Sequence, residues 1–330
     1  SLFQPPRRLR RAVPLWFKRI FFFSLFPAAD ADYIAPITRA LGIGEASMIR
    51  YFVFLFIPLL AFLPRQAAFE ASHQDDVVEA DVVLRGATIH DGSGQPGKVG
   101  DVAIKNDRIV AVGAFKTKGN PRVLDCTGLI LAPGFIDLHT HSDNALQEKK
   151  TNINYNYQTQ GVTTVVTGNC GSGPVDVADY FAKLEKIGVG TNVIHQVPHN
   201  SVRNQVMGNA DREPTAKELK AMEALVAKGM KDGAWGLATG LIYNPGTYSK
   251  TDELVALAKI AAEHKGFYAS HIRDEGSGVL TAIEEIIEIA RRAGLRVHVS
   301  HIKVSGRRAW GKAADVIERL RKARQDGIDI

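Results

Sequence analysis

The spacing of hydrophobic and polar positions changes character once along this chain. From Asp81 to Gly128, apolar and polar residues alternate over short runs: Val82–Leu84, Val102–Ile104 and Ile109–Val112. Asp91-Gly92 and Asn106-Asp107 punctuate these runs. That pattern predicts a small antiparallel sheet, with RVLDCTG as its last strand. Beyond Leu131, short apolar runs alternate with longer stretches of helical spacing. Strands are predicted at Gly134–Leu138, Thr163–Thr167, Asn192–Gln196, Gly236–Thr239, Gly266–Ser270 and Arg296–Ser300, with a seventh beginning at Gly327–Ile330. Between them, helices are predicted at about Val177–Lys186, Lys217–Asp232, Thr251–His264, Gly278–Ala293 and Ala313–Asp326. Their apolar residues recur three and four apart, as in Leu254, Leu257 and Ala258, or Ile283, Ile286, Ile287 and Ala290. Gly294 is a helix stop. Strand–helix alternation is the signature of βαβ units on a parallel sheet, so the class is α/β.

The segment before this pattern has a different composition. Met48-Ile49-Arg50 precedes the apolar run Tyr51–Leu63, which has the shape of a secretory signal. Thirteen helical residues reach only about 20 Å, short of the roughly 30 Å of a hydrocarbon core. Ala67, Ala68 and Ala71 offer a cleavage zone, the alternative being an uncleaved membrane-surface anchor. Export, to the periplasm or beyond, is therefore expected, with membrane contact only through this leader. Residues 1–47 lie upstream of a plausible start methionine and are left out of the fold. The organisation expected is an extension at 1–47, a signal or anchor at 48–71, a small β-domain at 80–130 and an α/β domain at 131–330.

Charge narrows the partners. The chain of 330 residues is 45% hydrophobic and carries a net charge of +6. Residues 1–50 hold eight lysines and arginines against three acids, so the remainder carries a net +1. A near-neutral globular part offers no basic face for nucleic acid. Of the two cysteines, Cys126 follows Asp125 in a predicted strand and reads as a buried apolar filler. No bridge to Cys170 is expected.

Chemistry enters at Leu131–Asp143, LAPGFIDLHTHSD. Phe135-Ile136-Asp137-Leu138 reads as a buried strand that ends in His139 and His141. Side chains alternate along a strand, so the two imidazoles project to one side, and Asp143 adds a carboxylate. Converging neutral imidazoles are a natural half of a metal site.

This stretch, with TTVVTGNCG, YASHIRDEG and VHVSHIKVSG, resembles the amidohydrolase superfamily and, within it, the D-aminoacylase (N-acyl-D-amino-acid deacylase) family. The resemblance covers about residues 80–330. It implies a (β/α)₈ TIM-like barrel, present here as about six and a half βα units, with a small N-terminal β-sandwich. It also places working residues at the C-terminal strand ends. Many relatives bridge two metals with a lysine on the fourth strand, but WGLATGLIY contains none; the strand-two cysteine takes that position in the D-aminoacylase family, and Cys170 matches it. By resemblance, Cys170, His271 and His301 hold one tight Zn²⁺, and His139 and His141 belong to a second, weaker site. The family's proton-transferring aspartate ends strand eight and is expected beyond Ile330, leaving no catalytic acid or base in these residues. His199, in PHNSVR, is expected to support the ligands from behind, and His195 to be structural. Tyr243, Arg273 and Lys303 are candidates to bind the substrate, with loop salt bridges as the alternative. The activity implied is zinc-dependent hydrolysis of small N-acyl-D-amino acids to a carboxylate and a D-amino acid. The alternatives are a cyclic-amide hydrolase of the hydantoinase or dihydroorotase kind, or a degenerate barrel without catalysis.

Overall fold

The computed structural model describes residues 23–27, as backbone only, and 76–330. The expected extension and signal segment, 1–71, otherwise lie outside the described residues. The fold divides into two compact units, one ending at Pro133 and one running Gly134–Ile330.

The first unit is built from strands β1 (Phe23–Pro27), β2 (Val77–Glu79), β3 (Val82–Ile89), β4 (Lys98–Lys105), β5 (Arg108–Gly113), β6 (Lys116–Lys118), β7 (Arg122–Asp125) and β8 (Leu129–Pro133). Six of them form one sheet in the order β1-β8-β3-β4-β5, with β7 also on β3, and β2 pairs with β6. Alternation along β3 sends Val83 to one face, with Ala80, Ala103 and Ala111. Leu84 goes to the other, with Val102, Cys126 and Leu131. Asn106-Asp107 makes a two-residue hairpin, since Lys105 faces Arg108. The sheet is mixed and not purely antiparallel, because β7 and β8 run parallel to β3. Phe23–Pro27, left out of the fold by the sequence reading, pairs with β8.

The second unit carries strands β9 (Phe135–Asp137), β10 (Val162–Thr167), β11 (Asn192–His195), β12 (Val197–Pro198), β13 (Gly236–Gly240), β14 (Phe267–His271) and β15 (Val297–Val299). All the pairings are parallel and follow chain order, in sheets β9-β10-β11 and β12-β13-β14-β15 that divide at Gln196. Between and after them run α1 (Tyr155–Gln158), α2 (Val177–Ile187), α3 (His199–Met207), α4 (Ala216–Lys231), α5 (Thr251–Glu263), α6 (Val279–Ala293) and α7 (Ala313–Gln325). Their apolar stripes close the main core: Met222 and Val226 from α4, Leu254 and Leu257 from α5, and Ile283, Ile286 and Ile287 from α6, over Leu237 and Tyr268 of the strands. Thr215 and Glu218 form a reciprocal capping box at the start of α4. Gly294 closes α6 in the left-handed region, φ +72°.

Three expectations need correction. The strand at Phe135 forms, but Phe135, Ile136 and Leu138 are exposed, not buried; among the described residues β9 has a strand neighbour only in β10. Gly327–Ile330 is not a strand, although the Val297 N–H donates to the Asp329 carbonyl at 2.8 Å and so holds this segment beside β15. The stretch after Pro198 is helix α3 where no helix is predicted, and it buries His199, Asn200 and Arg203.

Candidate metal centre

The strand ends gather the residues that the motifs single out. After β9, Thr140 turns inward and donates its N–H and its hydroxyl to the Val166 carbonyl, at 3.1 and 2.8 Å. His139 and His141 then lie together, their rings edge-on with centroids 5.2 Å apart. Cys170 follows β10 in a tight turn: Gly168, Cys170 and Gly171 all have positive φ, at +80°, +53° and +72°. A non-glycine residue there is costly and is held by its surroundings. His271 is the last residue of β14 and His301 lies two residues past β15.

The Cys170 sulfur is the centre of the group. It lies 3.5 Å from His139 Nε2, 3.5 Å from His271 Nδ1 and 3.6 Å from His301 Nε2. The rings of His139 and His271 each meet His301 edge-on, at 4.7 and 4.3 Å. Two overlapping ligand groups result, His139–His141–Cys170 and Cys170–His271–His301, each with its donor atoms within 4.8 Å of one another.

Two asparagines fix the turn that presents Cys170. Asn169 donates to the Val166 carbonyl at 2.8 Å and accepts from the Gln196 amide at 3.0 Å, tying β10 to the end of β11. Asn200, from α3, accepts the Gly240 N–H at 3.1 Å and donates to the Gly240 carbonyl at 2.9 Å. The backbone packs so closely here that a Cβ on Gly171 would stand 2.1 Å from Asn200 Oδ1, and one on Gly240 would stand 2.2 Å from the Cys170 carbonyl.

A carboxylate that the sequence reading passes over joins the histidines from behind. Glu275 is buried, with Oε1 3.0 Å from His301 Nδ1 and 2.6 Å from Lys303 Nζ. Its Oε2 lies 3.6 Å from His271 Nε2. The signal available was the i, i+4 spacing from His271 within YASHIRDEG. His298 was also passed over; it is partly buried on β15, and burial, then the charge of His301, lowers its pKa.

Burial governs the electrostatics. It drives His139 down to about 4, helped by the neighbouring charges of His301 and His141. It brings His271 to about 4 against the pull of Glu275. It pushes the Cys170 thiol up to about 11, a rise that Lys303 opposes and Glu275 reinforces. The imidazoles of His139 and His271 are thus neutral at neutral pH, the form that ligates metal, and the thiol needs a compensating cation to lose its proton.

The other predicted residues divide. Tyr243 sits with its ring 4.8 Å from that of His271 and half exposed. Lys303, its side chain half exposed, stands at the edge of the group. Arg273 is not available to a substrate: Glu285 holds its Nε and Nη2 at 2.9 Å, and the Thr247 and Ser249 carbonyls take its other hydrogen bonds at 2.9 and 3.0 Å. His199 does not support the ligands directly; its Nε2 lies 2.8 Å from Glu253 Oε1, and Arg203 binds the same carboxylate. Asp143 stays outside both ligand groups, since Oδ1 accepts the Gly168 N–H at 2.7 Å. His195 is fully buried, with Nδ1 2.8 Å from the Thr167 hydroxyl and Nε2 2.9 Å from the Pro174 carbonyl. Cys126 lies in the first unit, a free buried thiol.

One soft thiol and four imidazoles are a donor set suited to Zn²⁺, which binds cysteine sulfur and histidine nitrogen. The convergence of three ring nitrogens on Sγ fits such an ion without moving an element.

Known proteins identify the family. The profile described as "Amidohydrolase family" matches residues 122–328. The N-acyl-D-glutamate deacylase of Alcaligenes xylosoxydans xylosoxydans is 37% identical over 273 residues, which is 76% of this chain and 55% of that protein. The D-aminoacylase of the same organism is 35% identical over 278 residues, 77% of this chain and 57% of that protein. A solved N-acyl-D-glutamate deacylase from Bordetella bronchiseptica, complexed with zinc and a phosphonate mimic of the tetrahedral intermediate, aligns with a TM-score of 0.71. It is 33% identical and the match covers 76% of this chain and 57% of that one. The chain spans about half the length of the curated relatives it matches.

Proposed function

The chain belongs to the amidohydrolase family, and from that premise we propose that its protein hydrolyses the amide bond of N-acyl-D-amino acids in a zinc-dependent reaction, releasing a carboxylate and a D-amino acid. The observation that carries this reading is the convergence of His139, His271 and His301 on Cys170, at 3.5, 3.5 and 3.6 Å. Relatives named as D-aminoacylase and as N-acyl-D-glutamate deacylase support the substrate class. The relative holding zinc supports the metal. The parallel strands in chain order support a (β/α)₈ barrel whose C-terminal strand ends form the site.

Cys170, His271 and His301 would hold the tight ion, with His139 and His141 beside it for a second, weaker one. A bound Zn²⁺ supplies Lewis-acid polarisation of the amide carbonyl and lowers the pKa of a water. The protein's own residues do the rest. Burial keeps His139 and His271 neutral and ready to ligate. Lys303, half exposed beside the group and bonded to Glu275 and the His301 carbonyl, would offer its remaining proton to the substrate carboxylate. Tyr243 presents its ring edge beside His271, where its hydroxyl can donate to a developing oxyanion. Arg273 acts by bracing the 247–249 loop.

Metal analysis of the purified protein, with assays on N-acetyl-D-amino acids, their L-isomers and hydantoins, tests the reading. One tightly held zinc and turnover of the D-isomers are expected. Turnover of hydantoin alone overturns it. We also propose export through the Met48 leader. N-terminal sequencing should find a mature start after the Ala67–Ala71 zone, and a cytosolic protein would sink that idea.

A further inference from the structure

We propose that Glu275 is a positioning residue that sets opposite tautomers in two rings of the centre, Nε2–H in His271 and Nδ1–H in His301. The geometry comes first. His271 turns Nδ1 towards the Cys170 sulfur at 3.5 Å, whereas His301 turns Nε2 towards it at 3.6 Å. The outward nitrogens therefore differ, and both face one carboxylate: Oε1 is 3.0 Å from His301 Nδ1 and Oε2 is 3.6 Å from His271 Nε2. Glu275 is itself fixed, since its carbonyl accepts the Ser305 N–H at 2.6 Å and the carboxylate is nine-tenths buried.

His301 has a rival donor. Lys303 Nζ lies 2.8 Å from His301 Nδ1, so an ammonium hydrogen bond to a bare nitrogen would give the other tautomer. The carboxylate decides against it. With Nδ1 bare, its lone pair would face Oε1 at 3.0 Å, acceptor against anionic acceptor beside a carboxylate that is nine-tenths buried. Lys303 has three protons and loses little by turning to Oε1 at 2.6 Å and to the His301 carbonyl at 3.4 Å. For His271 the same repulsion operates at Nε2, which is buried and has no hydrogen-bond partner. Oε1 accepts from the His301 ring and the ammonium, while Oε2 faces His271 Nε2 from 3.6 Å, beyond hydrogen-bond reach, so its hold on that ring is electrostatic. The proposal rests on the metal-centre reading only for its purpose: each tautomer leaves a lone pair on the nitrogen that faces Cys170, so both rings are set to ligate before an ion arrives.

The test uses the full chain, labelled with ¹⁵N-histidine, stripped of metal and held at mildly alkaline pH. Long-range ¹⁵N–¹H correlation reads the protonated nitrogen of each ring, with His271→Gln and His301→Gln for assignment. The expected spectrum shows His301 as the Nδ1–H form, the minor one in free histidine, and His271 as Nε2–H. Glu275→Gln has nearly the same size but only one accepting oxygen, so at least one ring should change tautomer. Zinc affinity, read by competition with a chromogenic chelator, should fall about 10- to 100-fold. A wild-type His301 in the Nε2–H form overturns the proposal, as do unchanged tautomers in Glu275→Gln. If the rings behave as assigned and the wild type takes up no zinc, the tautomer assignment stands and the metal reading falls.

Discussion

Cys170 and Cys126 are both buried free thiols, and the difference between them lies in what surrounds the sulfur. Three ring nitrogens face Cys170 Sγ, whereas Cys126 Sγ has the Leu124 carbonyl at 3.6 Å and an apolar cluster. Cys170→Ser should therefore abolish tight zinc binding and nearly all activity, because a hydroxyl is far harder to deprotonate than a thiol. Cys126→Ser should keep its zinc and cost about 1 kcal/mol in packing; metal content and denaturant melts distinguish the two. His195 gives a pH prediction. Burial lowers it to about 4, below the ordinary value of about 6.5. The unfolded chain therefore binds a proton between those values that the folded one refuses, so the stability present above pH 6.5 is lost as pH falls towards 4. In His195→Asn, the slope of stability against pH over this window should lessen by up to about 1.4 kcal/mol per pH unit. The five proposed ligands were legible only through the four motifs that carry the family resemblance, which set histidine and cysteine at ordered strand ends. Glu275 was not: a glutamate four residues past a histidine looks like any solvated loop acid, and only the fold closes it over two rings. For Arg273 the sequence left substrate binding and a loop salt bridge both open, since it cannot show that Glu285 already holds the side chain.

At the scale of elements, six strands of the second unit and its long helices were legible from their periods, with ends shifted by a residue or two. Helix α3 escaped because it inverts the usual pattern. It buries His199, Asn200 and Arg203 around Glu253 beside Val202, and only Val202, Val206 and Met207 make a short apolar stripe against the core. The strand at Phe135 was legible from its apolar run, but its exposure was not, because exposure depends on neighbours absent from the local pattern. The approach of β13 to the Cys170 turn gives a sharper test. Gly240→Ala puts a Cβ 2.2 Å from the Cys170 carbonyl; backbone must move, at a cost of about 3 kcal/mol, and zinc binding should weaken with it. Gly294→Ala meets no atom within 4 Å and suffers only its positive φ, about 1 kcal/mol. Urea melts and zinc titration of the two variants measure the contrast.

At the scale of the molecule, the near-neutral charge after residue 50 agrees with a small substrate better than with a polyanion. Among the described residues, no helix is long and apolar enough to cross a membrane. The parallel strands pair in the order in which they are made, and this orders events in time. Each strand can dock on its predecessor as it leaves the ribosome, at about 5–20 residues per second. The proposed tight ligands do not follow that local rule, because His301 lies 131 residues after the Cys170 that it meets. A growing chain therefore carries Cys170 for several seconds, at those rates, before its last partner exists. The thiol would be folded in early as a neutral group and would meet the last of its proposed partners late. Capture at the proposed tight set would wait for His301, whereas the His139–His141–Cys170 group is complete as soon as Cys170 is made.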